Sequence, residues 1–153
     1  MESVPQDLNL AGVRIDRDHR ALTKLIEGVG RICTETAQPD CDRCPAQRYA
    51  ACIATVADMS GQVMVFLLDH FAYEERLMRL LPQTPRVHRH CLDHRGEHVE
   101  FSTRYNGFVS RLGSQSLLAG AQGLEELVIA WTREHALKYD EELTGLIRLY
   151  ACA

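Results

Sequence analysis

Three of the chain's seven histidines fall in the stretch His90-Cys91-Leu92-Asp93-His94-Arg95-Gly96-Glu97-His98. The apolar positions around them run Val87, Cys91, His94, His98, Phe101, Tyr105, Phe108, Leu112. Steps of three and four mark the buried stripe of one helix. Two imidazoles therefore point into a core, one turn apart, where Leu or Val would be expected. Burying both is costly unless something engages both lone pairs, and a metal ion does so. His90 lies off this stripe, so His94 and His98 are the expected ligand pair, and His88 and His90 are expected in solvent. An HxxxH pair alone is a weak signal, and the rest of the chain decides the matter.

Four helices are needed to position such residues, and the periodicity supplies them. Residues 1–14 read as an arm, since Pro5, Asp7, Asn9 and Gly12 break any period. A first helix is expected from near Asp16 to before Pro39, with His19 on its inner stripe. A second runs from about Gln47 to Leu81 and carries His70 and Glu74, an i,i+4 pair on one face. Pro82 and Pro85 end it. A third runs from about Arg86 to Leu112. Gly113 to Ser116 and Gly120 to Gly123 mark the next connection, and a fourth helix follows from about Leu124 to Tyr150. No strand pattern or internal repeat competes. The expected fold is all-α: a single domain over residues 15–153, an up-down-up-down antiparallel four-helix bundle.

On the fourth helix the inward residues are Trp131, His135 and Asp140. Five residues turn about 140° on an ideal helix, so His135 and Asp140 share a face only if the helix widens locally. The apolar stripe slips at the same place, which predicts a π-type turn between them. Counted along the helices, His19, His70, Glu74, His94, His98, His135 and Asp140 all belong to one half of the bundle. Five imidazoles and two carboxylates at one level suit a pair of first-row metal ions, with the carboxylates able to bridge them. The Glu-x-x-His motif of ferritin-like di-iron bundles does not occur in this chain, nor does HExxH.

In these segments the chain resembles the haemerythrin family in its bacterial form. The matching pieces are Ile15-Asp16-Arg17-Asp18-His19, His70-Phe71-Ala72-Tyr73-Glu74, His94 to Phe101, and Trp131-Thr132-Arg133-Glu134-His135 with Asp140. The resemblance implies a non-haem di-iron O2-binding protein for oxygen sensing, delivery or storage, and not an enzyme. It implies that His94, His98 and His135 hold one iron and His19 and His70 the second. Glu74 and Asp140 would bridge them together with an oxo or hydroxo group. O2 would bind end-on at the second iron, in a pocket lined by Thr132, Trp131 and Phe101. The family usually carries leucine where this chain has Thr132, and often tyrosine where it has Leu143. A hydroxyl at 132 favours the alternatives: a fast-autoxidising redox or oxygen sensor with a signalling or redox partner, or a di-iron enzyme acting on peroxide, Fe(II) or NO. A homo-oligomer fits either reading. The spacings from His19 to His70 and from His98 to His135 are longer than usual. Both insertions fall in hairpins at one end, so the bundle is expected to be lengthened there, away from the metals.

That end carries Cys33, Cys41, Cys44 and Cys52, spaced C-x7-C-x2-C-x7-C. The hairpin would bring Cys33 near Cys52 and leave Cys41 and Cys44 at the tip. They are either a thiol switch or a second metal site at the CxxC, or else Cys33 and Cys52 are small core residues and the tip pair is incidental. Cys91 reads as core. The bulk numbers exclude other classes. With 153 residues, 46% hydrophobic and 25% charged, the chain makes one ordinary globular core. A net charge of −4 without a basic run argues against nucleic acid. The N-terminal residues lack a leader pattern, and the longest apolar run, Val63–Leu68, is too short to span a bilayer, so a cytoplasmic location away from membranes is expected.

Overall fold

The computed structural model describes residues 8, 10–32, 41–114 and 116–151. Among them there are helices and turns and no strand. We number the helices α1 (Ala11–Gly30), α2 (Ala46–Leu80), α3 (Pro85–Val109), α4 (Leu117–His135) and α5 (Glu141–Ala151). A π-helical segment, Ala136–Asp140, joins α4 to α5, so the five labels make four long rods. The chain is thus all-α, four rods packed as a helical bundle. Short 3-10 turns at Cys41–Arg43 and Leu112–Ser114 lie in the connections. The start of α3 follows local rules: Thr84 caps it by accepting the Val87 N–H at 3.3 Å, and Pro85 takes the first helical position.

The buried apolar side chains form two clusters, not one. Leu22, Ile26 and Val29 of α1 join Val56 to Phe71 of α2, Phe101 and Tyr105 of α3, and Leu124 to Trp131 of α4. Ala11 and Ile15 of α1 join Tyr73 and Leu77 of α2, Val87 and Cys91 of α3, and Leu143 and Ile147 of α5. Each rod passes from one cluster to the other, and the sense of passage alternates along the chain. The residues at the crossing are His19, His70 and Glu74, His94 and His98, and His135 and Asp140. A polar layer therefore separates two apolar ones.

Three boundaries differ from the sequence reading. The first helix begins at Ala11, not near Asp16, so residues 11–14 belong to it and not to an arm. Leu8, Ala11 and Ile15 are buried at helical spacing, and this apolar contact outweighs the modest propensity cost of Gly12. The fourth helix begins at Leu117, so Gly120 to Gly123 are helical. Gly123 is there for closeness: a Cβ on it would lie 2.8 Å from Phe108 Cζ. The third helix ends at Val109. The expected widening is present, with the Glu141 N–H bonded to the Ala136 carbonyl, five residues back.

Helix α2 also departs from the expectation about membranes. Measured by an 18-residue window it is long and apolar enough to cross a bilayer, although only 22% of that window is buried within the bundle. A search for an unbroken apolar run misses it because Ala and Val there alternate with Ser, Gly and a single Asp. The same helix carries His70 and Glu74 into the core, and a bundle helix passes the same test of length and composition.

Candidate metal centre

The seven residues at the crossing converge. Two overlapping sets of side chains have ligand atoms all within 4.8 Å of one another: Glu74, His94, His98 and His135, and His19, His70, Glu74 and Asp140. All are buried except His19, which is partly so. The spacing logic is local. His70 and Glu74, and His94 and His98, are one turn apart on straight helices. The π segment adds the residue that turns Asp140 back to the face of His135.

The carboxylates lie between the two histidine sets. Glu74 Oε1 is 3.2 Å from His70 Nε2, while its Oε2 is 3.1 Å from His98 Nε2 and 3.4 Å from His94 Nε2. Asp140 Oδ2 is 2.9 Å from His19 Nε2, while its Oδ1 is 3.3 Å from His94 Nε2 and 3.2 Å from His135 Nε2. Each carboxylate thus turns one oxygen to each set. All five imidazoles present Nε2 inward, and the Nε2 atoms of His94 and His135 are 2.9 Å apart. Several of these buried atoms, namely His19 Nε2, His70 Nε2, Glu74 Oε1 and both Asp140 oxygens, have a neighbour within reach but no hydrogen bond of acceptable angle. Lone pairs aimed at a common point rather than at each other give that result. Buried polar atoms left so are costly, and cations at the common points satisfy them. The donor set, imidazole nitrogen and carboxylate oxygen, suits first-row metals.

The outer nitrogens of His94 and His98 are held as well, while that of His135 is buried without a partner. His94 Nδ1 is 3.3 Å from His90 Nε2, and His90 Nδ1 is 3.4 Å from Glu142. His98 Nδ1 is 3.3 Å from Glu75. His70 Nδ1 lies 3.7 Å from Asp18, an ion-pair distance without a hydrogen bond. Such partners fix the tautomer and orientation of a ligating ring. His90 is a correction to the sequence reading, which placed it in solvent: it is only 5% exposed. The signal was present in the i,i+4 relation of His90 to His94, but the stripe is wider than a single line of apolar residues suggests. His88 is exposed, as expected. Beside His90 a cleft of about 710 Å³, which Arg89, Asp93, Tyr139 and Glu142 also line, opens to solvent.

The charges respond to this packing. Burial pushes Glu74 up, but the imidazoles of His135, His94 and His98 facing its Oε2 outweigh it and hold the carboxyl well below its ordinary range. Asp140 is also lowered, against burial, by the nearby imidazoles of His135, His19 and His94. Burial would lower His135, yet Asp140 and Glu74 raise it to about 9, and His94 is raised for the same reasons. His70 moves the other way, because burial outweighs Glu74. Without a cation, the cluster is thus held by imidazolium–carboxylate pairing.

Aromatic rings wall one side. Phe71 stacks on His98 with centroids 4.0 Å apart, Trp131 on His135 at 4.5 Å, and Phe101 on Trp131 at 4.0 Å. Trp131 Nε1 donates to Glu97 at 2.9 Å. Phe101 and Trp131 were expected to line a pocket, whereas Phe71, which touches more of the cluster than Phe101 does, was not. The Thr132 hydroxyl donates to the Val128 carbonyl at 2.8 Å and is buried. It is therefore engaged within its own helix. Leu143 is fully buried in the second apolar cluster.

The expected approach of Cys33 to Cys52 is not described by the structure, which places three of the four hairpin cysteines. Cys33 lies outside the described residues. Cys52 does not stand apart from Cys41 and Cys44; all three line one small cavity. Cys91 is buried in the core, as expected.

No curated protein and no solved structure matches the chain. Residues 13–147 match the model of the Hemerythrin HHE cation binding domain. That span takes in every rod and every residue of the crossing layer, and the chain belongs to the hemerythrin HHE cation-binding domain family.

Proposed function

We propose that the protein is a non-haem di-iron O2-binding protein, with His94, His98 and His135 at one iron, His19 and His70 at the other, and Glu74 and Asp140 bridging. The observation that carries this reading is the split of both carboxylates, one oxygen to each histidine set. A single-ion site needs no such split. Two cations close together repel, and carboxylates between them offset the repulsion. The sets are also unequal. His94, His98 and His135 with two carboxylate oxygens give five protein donors, while His19 and His70 with two give four. The poorer set has the open position that binding a small molecule requires.

A pair of iron ions there supplies reversible electron transfer to O2. The chain supplies everything else. Five imidazoles, with outer nitrogens partnered at His94 by His90 and at His98 by Glu75, keep the donors in place. Phe71, Phe101 and Trp131 exclude water from the side of His98 and His135. The Thr132 hydroxyl, tied to the Val128 carbonyl, supplies no free donor to the pocket. That favours O2 binding over the enzyme alternative. The alternation in which the rods cross the two apolar clusters supports an up-down-up-down antiparallel order. The 35-residue length of α2 supports lengthening at the end away from the centre. A cytoplasmic location remains part of this reading.

The test is a visible spectrum of the reduced, iron-quantified protein before and after air, then under argon. Two irons per chain and a reversible charge-transfer band support the reading. An immediate, irreversible change to a ferric spectrum would favour a redox sensor, and absence of iron would overturn it.

A further inference from the structure

The metal layer is not the only cluster of reactive side chains. Cys41, Cys44 and Cys52 are reduced and half-buried, and they line one nearly closed cavity of about 20 Å³ with apolar walls from Ile32, Tyr49 and Leu117. Among the described residues, none of the lining side chains is charged. A space of that size takes roughly one or two water-sized molecules. The backbone between the first two cysteines is folded tightly. Cys44 donates its N–H to the Cys41 carbonyl at 3.3 Å, closing a turn over Cys41–Arg43. An i to i+3 turn brings the two Cα atoms within about 7 Å, and disulfides span roughly 4.4–6.8 Å. Cys44 then leads into Pro45, which starts α2, and Cys52 sits on that helix facing the same cavity. Among the described residues the groups that can close on one ion are the histidine and carboxylate sets, and the three sulfurs do not form such a group. The arrangement therefore favours two-thiol chemistry over a metal knuckle.

We propose that this cavity is a thiol–disulfide site at which hydrogen peroxide is reduced and Cys41 and Cys44 close as a disulfide across the turn. One thiolate attacks a peroxide oxygen. The O–O bond breaks, the sulfur becomes a sulfenic acid, and the released hydroxide takes a proton to leave as water. The second thiol attacks that sulfur, the S–O bond breaks, and a second water leaves. Two sulfurs lose one electron each, the peroxide gains both, and the two thiol protons end in the two waters. A small external dithiol returns Cys41 and Cys44 to thiols by exchange, giving up two electrons and closing as its own disulfide. Cys52 is the neighbour that competes for the sulfenic acid. The site lies outside the histidine layer, and the inference does not rest on which metal occupies that layer.

The chain's own cleavage sites make the test direct. Trypsin cuts after Arg43 and Arg48, placing Cys41 (with Cys33), Cys44 and Cys52 on three separate peptides. The full-length, iron-quantified protein is treated with equimolar hydrogen peroxide, alkylated, digested and mapped by mass spectrometry with fragmentation. The expected result is a linked pair of peptides joined through Cys41 and Cys44, released by dithiothreitol. Cys44→Ser is expected to abolish that link with iron content and helical content unchanged, and Cys52→Ser to keep it. Full alkylation of all three cysteines after peroxide would overturn the proposal. So would single cysteines oxidised to sulfinic acid without a link, a link through Cys33 instead of Cys41, or loss of the link in Cys52→Ser. Because iron is measured in the same sample, failure here is separable from failure of the di-iron reading.

Discussion

Raising the pH should weaken the metal-free protein and spare the metal-loaded one. In the folded, cation-free cluster His135 is raised from 6.5 to about 9 by Asp140 and Glu74. A group whose folded pKa is raised contributes stability that is complete below its unfolded pKa and lost as pH climbs through the folded one. The window is therefore pH 6.5 to 9. His94, raised by the same carboxylates, acts in the same direction. Glu74 and Asp140 are lowered, so their contribution is present throughout this window and fails only in acid. His70, lowered by burial, opposes folding as pH falls below 6.5, which is again outside the window. A displacement of about 2.5 units at His135 corresponds to on the order of 3 kcal/mol. For a chain of this size that is a fall in Tm of roughly 6–12 °C. With metal bound the imidazoles are neutral ligands and protons are their competitors, so raising pH favours the complex. The assay is calorimetry of chelator-treated and iron-loaded protein across pH 6.5 to 9. The metal-free Tm should fall while the gap to the loaded form widens. A metal-free Tm that stays flat or rises would refute the argument that imidazolium–carboxylate pairs hold the unliganded layer.

Four further outcomes are expected. Glu74→Ala, which removes donors from both sets, should cost both ions, whereas His98→Ala should cost one; metal analysis per chain distinguishes them. His90→Leu should weaken metal affinity by about 10–100-fold while leaving the fold intact, because it releases the outer nitrogen of His94; competition with a calibrated chelator reads this. Thr132→Val should change stability by less than about 1 kcal/mol and leave the autoxidation rate unaltered, since its hydroxyl already serves the Val128 carbonyl; stopped-flow after exposure to air measures it. Gly96→Ala, where a Cβ meets nothing within 4 Å, should stabilise by up to about 1 kcal/mol. Gly123→Ala, which drives a Cβ to 2.8 Å from the Phe108 ring, should destabilise; denaturant titration separates the two.

The all-helical fold and the meeting of the seven residues were legible because they rest on periodicity, which the helix converts directly into faces. The widened turn was legible for the same reason, as a step of five in a run of threes and fours. What escaped was decided by partners far away in sequence. Gly120 and Gly123 look like a turn until Phe108 is seen against Gly123. His90 looks solvated until Glu142 is placed beside it. Leu8 and Ala11 look like an arm until the second apolar cluster offers them a wall. Cys52 looked remote from the tip because spacing gives only a position along the hairpin, not which way the turn folds. The role of Phe71 was hidden because an aromatic on a helix stripe reads as ordinary core.

The π segment also sets the phase of everything after it. Tightening Ala136–Asp140 to plain α-turns, with every residue kept, would rotate the following rod by about 100°. Asp140 would then leave the layer, and Leu143, Leu146 and Ile147 would leave the apolar cluster with it. Closing the ligand ring and seating the eleven residues of α5 are thus one mechanical event, viewed from two ends. Anything that pulls Asp140 out of the histidine layer is transmitted along a rigid rod to the far end of α5, and anything that grips that end is felt at the layer.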